Sequence, residues 1–305
     1  MPPSRRIGGE PALDPDFPDP SIIQDPSGTW YAFATAGNGK QIQVANATDL
    51  YGPWTLLNVD ALPRAGAWST GKNTWAPDVR RTRNGTYVMY YSGEVLSNKM
   101  FHCIGTATSS SILGPYTPAD TPFACDLTTG GSIDPSGFQD ADGKQYVVYK
   151  VDGNSLGHGG SCKNDKAPIV PTPILMQEVG SDGVTKIGNA TQIFDRTEQD
   201  GPLVEAPSLL RTDEGLYVLF FSSGCFTEES YNVNYATSSS LEGPYQRADK
   251  PILITGQYNM RAPGGATGIF YEDGIGVAFH ADCPAGRCLY TSDTVINDKV
   301  VRFVM

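Results

Sequence analysis

Three acidic residues lie close to prolines at widely separated places in the chain. Asp19 and Asp134 stand one position before a proline, and Glu205 stands two positions before one. Singly, an acid before a proline is an ordinary turn residue. Carboxylates that converge on one cavity are different, because their repulsion is costly unless a site uses it. A protonated acid that donates to a leaving oxygen and an ionised acid that activates water together hydrolyse glycosidic bonds.

The acid–proline motif is part of a repeat that runs along the chain. Each copy contains a proline, a β-rich run, a Gly turn and an aromatic strand, and the prolines are Pro20, Pro77, Pro135, Pro207 and Pro263. Their successive spacings are 57, 58, 72 and 56 residues. A second repeat, Gly-Pro-aromatic at 52–54, 114–116 and 243–245, predicts the turn from a third strand into an outer fourth strand.

These repeats predict an all-β, five-bladed β-propeller of four-stranded antiparallel blades around a central channel, as a single domain over residues 1–305. A composition of 34 Gly, 23 Pro and 15 Tyr with only 18% charged residues fits many turns between short aromatic strands. A β-sandwich is the alternative, but it gives no reason for a period near 57 residues.

In a propeller, the starts of the five first strands ring one mouth of the channel. The three acids should therefore meet there with Trp75 and Arg261, which occupy matching positions in the repeat. Trp75 offers a flat apolar face to a sugar ring, and Arg261 offers donors for hydroxyls or for a carboxylate such as Glu205. Asp78 is a fourth nearby acid, which either binds substrate or braces the channel wall.

A long segment between the third and fourth blades, residues 152–173, accounts for most of the 72-residue spacing. Long loops on a rigid scaffold often shape a binding mouth, so His158 is a candidate substrate contact; a plain surface loop is the alternative. Of the fifteen pairings that six cysteines allow, adjacent blades favour Cys162 with Cys225. Cys283 and Cys288 would close a hairpin, which leaves Cys103 with Cys125.

Charge and cysteine content restrict partners and compartment. A net charge of −11 disfavours nucleic acids and anionic membranes, and no apolar run is long enough to cross a bilayer. An even number of cysteines and three Asn-x-Thr sequons, at Asn46, Asn84 and Asn189, favour an extracellular, glycosylated protein. A neutral substrate fits this charge better than an anionic one, and we expect a monomeric protein.

The chain resembles glycoside hydrolase family 43, a family of five-bladed propellers. The matching motifs are FPDPS at 17–21, WAPD at 75–78, SIDPS at 132–136 and VEAPS at 204–208. The resemblance implies that Asp19 is the general base, Asp134 raises the pKa of the acid and orients it, and Glu205 is the general acid. It also implies inversion at the anomeric carbon, with base and acid roughly 6.5–9.5 Å apart.

Plant cell-wall arabinan or arabinoxylan is the substrate that the resemblance implies, with α-L-arabinofuranosidase or arabinanase as the expected activity. A β-D-xylosidase of the same family is the first alternative, and a non-catalytic carbohydrate-binding propeller is the second. No cofactor is needed for the chemistry. A structural calcium ion held largely by water near His280 is also implied; a core histidine bonded to backbone is the alternative.

Overall fold

The computed structural model describes residues 9–271 and 274–304. These residues form five four-stranded antiparallel sheets, with the strands of each sheet in chain order. Blade one contains β1 (Ser21–Gln24), β2 (Trp30–Ala34), β3 (Gln43–Ala47) and β4 (Thr55–Leu56); blade two contains β5 (Trp75–Arg81), β6 (Tyr87–Glu94), β7 (His102–Ser109) and β8 (Thr117–Pro118). Blade three contains β9 (Ser132–Gln139), β10 (Gln145–Val151), β11 (Ile174–Val179) and β12 (Lys186–Phe194). Blade four contains β13 (Val204–Arg211), β14 (Tyr217–Ser223), β15 (Asn232–Ser238) and β16 (Gln246–Arg247); blade five contains β17 (Gly264–Tyr271), β18 (Gly274–Cys283), β19 (Gly286–Asn297) and β20 (Val300–Val304).

The first strands of the blades form a closed ring around the central channel. β1 contacts β5, β5 contacts β9, β9 contacts β13, β13 contacts β17, and β17 returns to β1. The predicted five-bladed propeller is confirmed. Within the described chain, no helix has the length and apolar character needed to cross a membrane.

The second strands are continuous apolar runs because both of their faces are covered. Along β6, Met89 and Tyr91 pack in a cluster with blade one, whereas Val88 and Tyr90 pack in a cluster with blade three. Successive side chains point to opposite faces of a strand, so a sheet between two blades buries both sets. The aromatic strands of the sequence repeat are therefore the layers between blades.

The repeated proline marks an unusual backbone conformation at the start of each first strand. All five residues that precede it have positive φ: Asp19 (52°), Ala76 (42°), Asp134 (55°), Ala206 (51°) and Ala262 (47°). This region is unfavourable for residues other than glycine, so it needs support from neighbouring structure. Register shifts in the pairing of first and second strands accompany it in blades two to five.

The Gly-Pro-aromatic repeat lies where it was predicted, between the third and fourth strands of blades one, two and four. Each aromatic ring packs inward and donates to the carbonyl four residues earlier: Trp54 to Leu50 (2.9 Å), Tyr116 to Ile112 (3.1 Å) and Tyr245 to Leu241 (2.9 Å). The ring thus fixes the turn that brings the short outer strand back to its blade.

All three predicted disulfides are present: Cys103–Cys125, Cys162–Cys225 and Cys283–Cys288. The second one joins the loop after β10 to the loop after β14, in adjacent blades. The third one closes the hairpin between β18 and β19. The segment before β1 pairs with the same hairpin, where Phe17 N–H donates to the Arg287 carbonyl (2.7 Å). The segment before β1 is thereby joined to this hairpin beside the channel mouth.

Candidate active site

The three predicted catalytic acids lie at one mouth of the channel. Asp19 and Asp134 line a cavity of about 30 Å³ together with residues from all five blades, among them Ala76, Ala206 and Gly265. A space of this size holds about one or two water molecules. The channel is therefore nearly closed by packing at the level of Asp19 and Asp134, whereas a larger cavity of about 490 Å³ lies at the far ends of the first strands, lined in part by Ile23, Phe138 and Ile269.

Asp19 is held as a carboxylate by an arginine that sequence reasoning did not identify. Arg287 donates from Nη1 to Asp19 Oδ1 (2.9 Å) and from Nη2 to Oδ2 (3.4 Å), and the Thr35 hydroxyl donates to Oδ2 (2.6 Å). Burial alone would raise the pKa of Asp19, but Arg287, His280 and Thr35 together lower it below its ordinary value. An ionised, firmly oriented carboxylate is what a general base requires.

We expect Arg287→Met to move the acidic limb of the pH profile of kcat/KM to higher pH by about one pH unit or more. Activity falls when the base is protonated, and loss of the guanidinium raises the pKa at which Asp19 takes up its proton. The measurement is kcat/KM between pH 3 and pH 9, with Arg247→Met, which breaks the buried pair with Asp200 in blade four, as control. An unmoved acidic limb in Arg287→Met would show that Arg287 does not control the base.

Asp134 and Glu205 form an electrostatically coupled pair across blades three and four. Burial and then the neighbouring Glu205 raise the pKa of Asp134 to about 8, against the opposing effect of Lys150. Asp134 Oδ2 accepts the backbone N–H of Ala206 (2.9 Å), the residue after Glu205. Asp134 therefore retains a proton at neutral pH, close to the backbone that carries Glu205.

Both carboxylate oxygens of Glu205 are hydrogen-bonded. Lys150 Nζ donates to Oε2 (3.0 Å) and the Tyr231 hydroxyl donates to Oε1 (2.9 Å). Burial alone would lower the pKa of Lys150, but Asp152 and Glu205 raise it above its ordinary value, so the amine stays charged. The expectation that Arg261 is the cation next to Glu205 is wrong, because Lys150, from the end of β10, occupies that position.

Arg261 lies on the exposed rim of the mouth. Its Nε pairs with Glu229 Oε1 (3.2 Å) and with Asp282 Oδ2 (3.7 Å). Its guanidinium thus points to an acidic rim and not to the three catalytic candidates. Both of these ion pairs are solvent-exposed.

Trp75 is half-buried beside the mouth and stacks on a histidine. The ring centroids of Trp75 and His102 are 3.5 Å apart with an interplanar angle of 17°. Burial lowers the pKa of His102, so the imidazole is neutral at neutral pH, and its Nε2 is bonded to the Asn73 carbonyl (3.0 Å). The stacked imidazole fixes the orientation of the indole beside the mouth.

Asp78 lies deeper in the channel and is almost fully buried. Its oxygens accept from Arg80 (2.7 and 3.0 Å) and from the backbone N–H of Gly137 in the next blade (2.8 Å). Both carboxylate oxygens of Asp78 are thus hydrogen-bonded to the channel wall, which matches the alternative that Asp78 braces this wall.

His158 is exposed on the loop after β10, where its Nδ1 is bonded to the Pro168 carbonyl (2.9 Å).

His280 is fully buried beside Asp19. Its Nδ1 accepts the backbone N–H of Asp19 (3.0 Å), its ring stacks on Tyr231, and burial followed by Arg287 lowers its pKa to about 3. A neutral imidazole that accepts at Nδ1 carries its hydrogen on Nε2. A protonated Nε2 cannot ligate calcium directly, because calcium binds oxygen atoms, so the predicted ion could contact this histidine only through a water ligand. This buried Nε2 has no hydrogen-bond partner among the described residues. The contact with the Asp19 backbone matches the core-histidine alternative.

Sequence reasoning missed Lys150, Tyr231, His102 and Arg287. For Lys150, a lysine in an otherwise apolar strand end (YVVYKV) was the available signal. Arg287 sits within the predicted Cys283–Cys288 hairpin, whose direction the sequence does not give. Tyr231 and His102 carry no pattern that separates them from core aromatics.

A five-bladed propeller with an arginine-held carboxylate and a coupled pair of acids at one mouth defines a glycoside hydrolase. The chain belongs to the glycosyl hydrolases family 43, whose family model matches residues 9–300. Hydrolysis by paired carboxylates needs no cofactor.

Relatives with curated names include arabinanases. The chain is 27% identical to the probable arabinan endo-1,5-alpha-L-arabinosidase C of Aspergillus flavus, over 86% of this chain and 81% of that protein. It is 28% identical to the extracellular endo-alpha-(1->5)-L-arabinanase 2 of Bacillus subtilis, over 84% of this chain but only 53% of that protein. Among solved structures, a thermostable family-43 glycoside hydrolase superposes with a TM-score of 0.80 at 21% identity, covering 98% of this chain and 95% of the other, which supports the fold.

Proposed function

We propose that this protein is an inverting arabinanase or α-L-arabinofuranosidase that acts on the arabinan or arabinoxylan of plant cell walls. The carrying observation is the division of the mouth into two carboxylate environments. Asp19 is ionised against Arg287, whereas Asp134, beside Glu205, retains a proton at neutral pH. Two carboxyl groups whose environments separate their protonation states are suited to act as base and acid in one reaction.

In the proposed reaction, Asp19 accepts a proton from water as the water oxygen attacks the anomeric carbon. Glu205 donates a proton to the glycosidic oxygen, and the bond between that oxygen and the anomeric carbon breaks as the new C–O bond forms. Asp134 accepts the backbone N–H next to Glu205, and burial together with the neighbouring Glu205 keeps Asp134 itself protonated at neutral pH. Trp75 offers the stacking platform, while Arg261 and His158 would contact the saccharide from the rim and the loop.

The arabinan preference rests on the named activities of the two relatives. Three disulfides and the word extracellular in the name of one relative support secretion. We further propose that the five blades form one catalytic domain that works as a monomer.

The test is a panel of substrates assayed with product analysis by proton NMR. The panel contains nitrophenyl α-L-arabinofuranoside, nitrophenyl β-D-xyloside, linear arabinan and arabinoxylan. We expect hydrolysis of an arabinofuranosidic substrate, with the first-formed sugar in the anomeric configuration opposite to that of the substrate. Preference for the xyloside would replace the arabinan assignment with β-D-xylosidase. Inactivity across the panel would favour a carbohydrate-binding propeller.

A further inference from the structure

Lys150 is a fully buried charge beside the proposed acid. Its side chain has no exposed surface, and its ammonium bridges Asp152 Oδ1 and Glu205 Oε2 at 3.0 Å each. Burial of an ammonium group is costly unless it is paired and hydrogen-bonded. Asp152 and Glu205 provide both the negative charge and the hydrogen-bond acceptors, so the ammonium and the two carboxylates stabilise one another in the buried site.

The propeller repeat shows that a lysine is out of pattern here. In the other four blades the matching residue at the end of the second strand is a neutral acceptor for a backbone N–H at the start of the next blade. Thr35 accepts from Ala76 (2.9 Å), Ser92 from Asp134 (3.0 Å), Ser222 from Gly265 (2.9 Å) and His280 from Asp19 (3.0 Å). A lysine ammonium has no lone pair and cannot accept. Between blades three and four the corresponding backbone N–H, that of Ala206, is accepted by Asp134 (2.9 Å), and Lys150 contacts the Glu205 side chain instead.

The two oxygens of Glu205 consequently have different partners. Oε2 faces an ammonium group that can only donate, so a hydrogen on Oε2 would oppose it. Oε1 faces the Tyr231 hydroxyl, which can either donate or accept by rotating. A hydrogen on Glu205 is compatible with its surroundings only at Oε1.

We propose that Lys150, held by Asp152, is a positioning residue that covers Oε2 of Glu205 and makes Oε1 the oxygen that delivers the catalytic proton. The inference rests on the proposed function, in which Glu205 is the general acid. When the glycosidic oxygen takes the hydrogen, the O–H bond at Oε1 breaks, and the resulting carboxylate is stabilised by Tyr231 and Lys150. No further proton donor is needed in this step.

The same contact sets the upper pH limit of the reaction. The charged and titratable groups around Lys150 and Glu205 are Asp152, Asp134, Asp19, Arg287, Tyr231 and, facing Asp152, His102. Burial and Glu205 raise the pKa of Asp134 to about 8, and Lys150 opposes them. A nearby positive charge favours loss of the shared proton, and a nearby negative charge disfavours it. Lys150 and Asp152 should therefore move the basic limb of the pH profile in opposite directions.

The experiment measures kcat/KM against pH for wild type, Lys150→Met, Lys150→Arg and Asp152→Asn. The substrates are the phenyl and 2,4-dinitrophenyl glycosides of the sugar that the wild type prefers. With the phenyl glycoside, we expect the basic limb to move up by about one pH unit in Lys150→Met, to move down in Asp152→Asn, and to stay in place in Lys150→Arg. Arg247→Met breaks a comparable buried pair with Asp200 and should leave the limb unmoved.

Opposite displacements in Lys150→Met and Asp152→Asn support the inference, and displacement in one direction or none overturns it. If Lys150→Met does not fold by circular dichroism, Asp152→Asn decides alone, since a purely structural role would not lower the limb. The dinitrophenyl glycoside distinguishes failure of the inference about Lys150 from failure of the proposed function. A wild-type basic limb that is identical for both leaving groups would show that it does not report the acid, which would overturn both. A limb that depends on the leaving group but does not move in the variants would overturn only the role of Lys150.

Discussion

Replacement of Glu205 by glutamine is expected to slow hydrolysis of the phenyl glycoside by about 10²- to 10⁴-fold. The 2,4-dinitrophenyl glycoside of the same sugar should be affected much less, because its leaving oxygen departs without protonation. Glutamine fits the site, since its carbonyl can accept from Lys150 while its amide donates to the Tyr231 hydroxyl. The measurement is kcat/KM for both glycosides in wild type and Glu205→Gln.

Glu229→Gln is the matched control for that variant. Glu229 is an exposed acid on the same rim, paired with Arg261, and it lies outside the pair that holds the proton. The same chemical change at Glu229 should leave the ratio of the two rates unchanged. Equal losses on both glycosides in Glu205→Gln would contradict the role of Glu205 as proton donor.

Asp19→Asn should lower activity by about 10²- to 10⁴-fold on both glycosides, whatever their leaving group. Water must lose a proton as it attacks in either case, and an amide cannot accept that proton. The asparagine side chain still offers an acceptor to Thr35, so the mouth should remain folded even though Arg287 loses its counter-charge. The contrast between Asp19→Asn and Glu205→Gln separates base from acid.

The control for this variant is Asp25→Asn, in the hairpin at the other end of β1. Asp25 Oδ1 accepts from the backbone of Ser27 and Thr29, which an asparagine carbonyl can also do. Its rates should match those of the wild type. Selective retention of activity towards the dinitrophenyl glycoside in Asp19→Asn would assign Asp19 to leaving-group protonation instead of to the attack of water.

The fold was predictable because a propeller repeats a local pattern. The proline with its preceding residue, the aromatic second strand and the Gly-Pro-aromatic turn are each short-range signals, and their period counts the blades. The phase of that repeat also brings Asp19, Asp134 and Glu205 to one mouth, since equivalent positions in a closed ring share the same height. The Cys162–Cys225 disulfide followed from the same placement of blades.

The partners of those acids were not predictable, because they depend on side-chain direction across blade boundaries. Arg261 matches the repeat position, yet it points to Glu229 and Asp282 on the rim. Arg287 has no repeat position, yet the Cys283–Cys288 hairpin turns it onto Asp19.

The sequence by itself thus determined the number of blades, the family and the three acids that meet at the mouth. The tertiary structure alone decided which cation meets which acid, by placing Lys150 against Glu205 and Arg287 against Asp19. The physical reason is the range of the interactions. Turn and strand preferences act over a few residues and leave a periodic record, whereas an ion pair between blades requires that two distant backbones aim their side chains at one point.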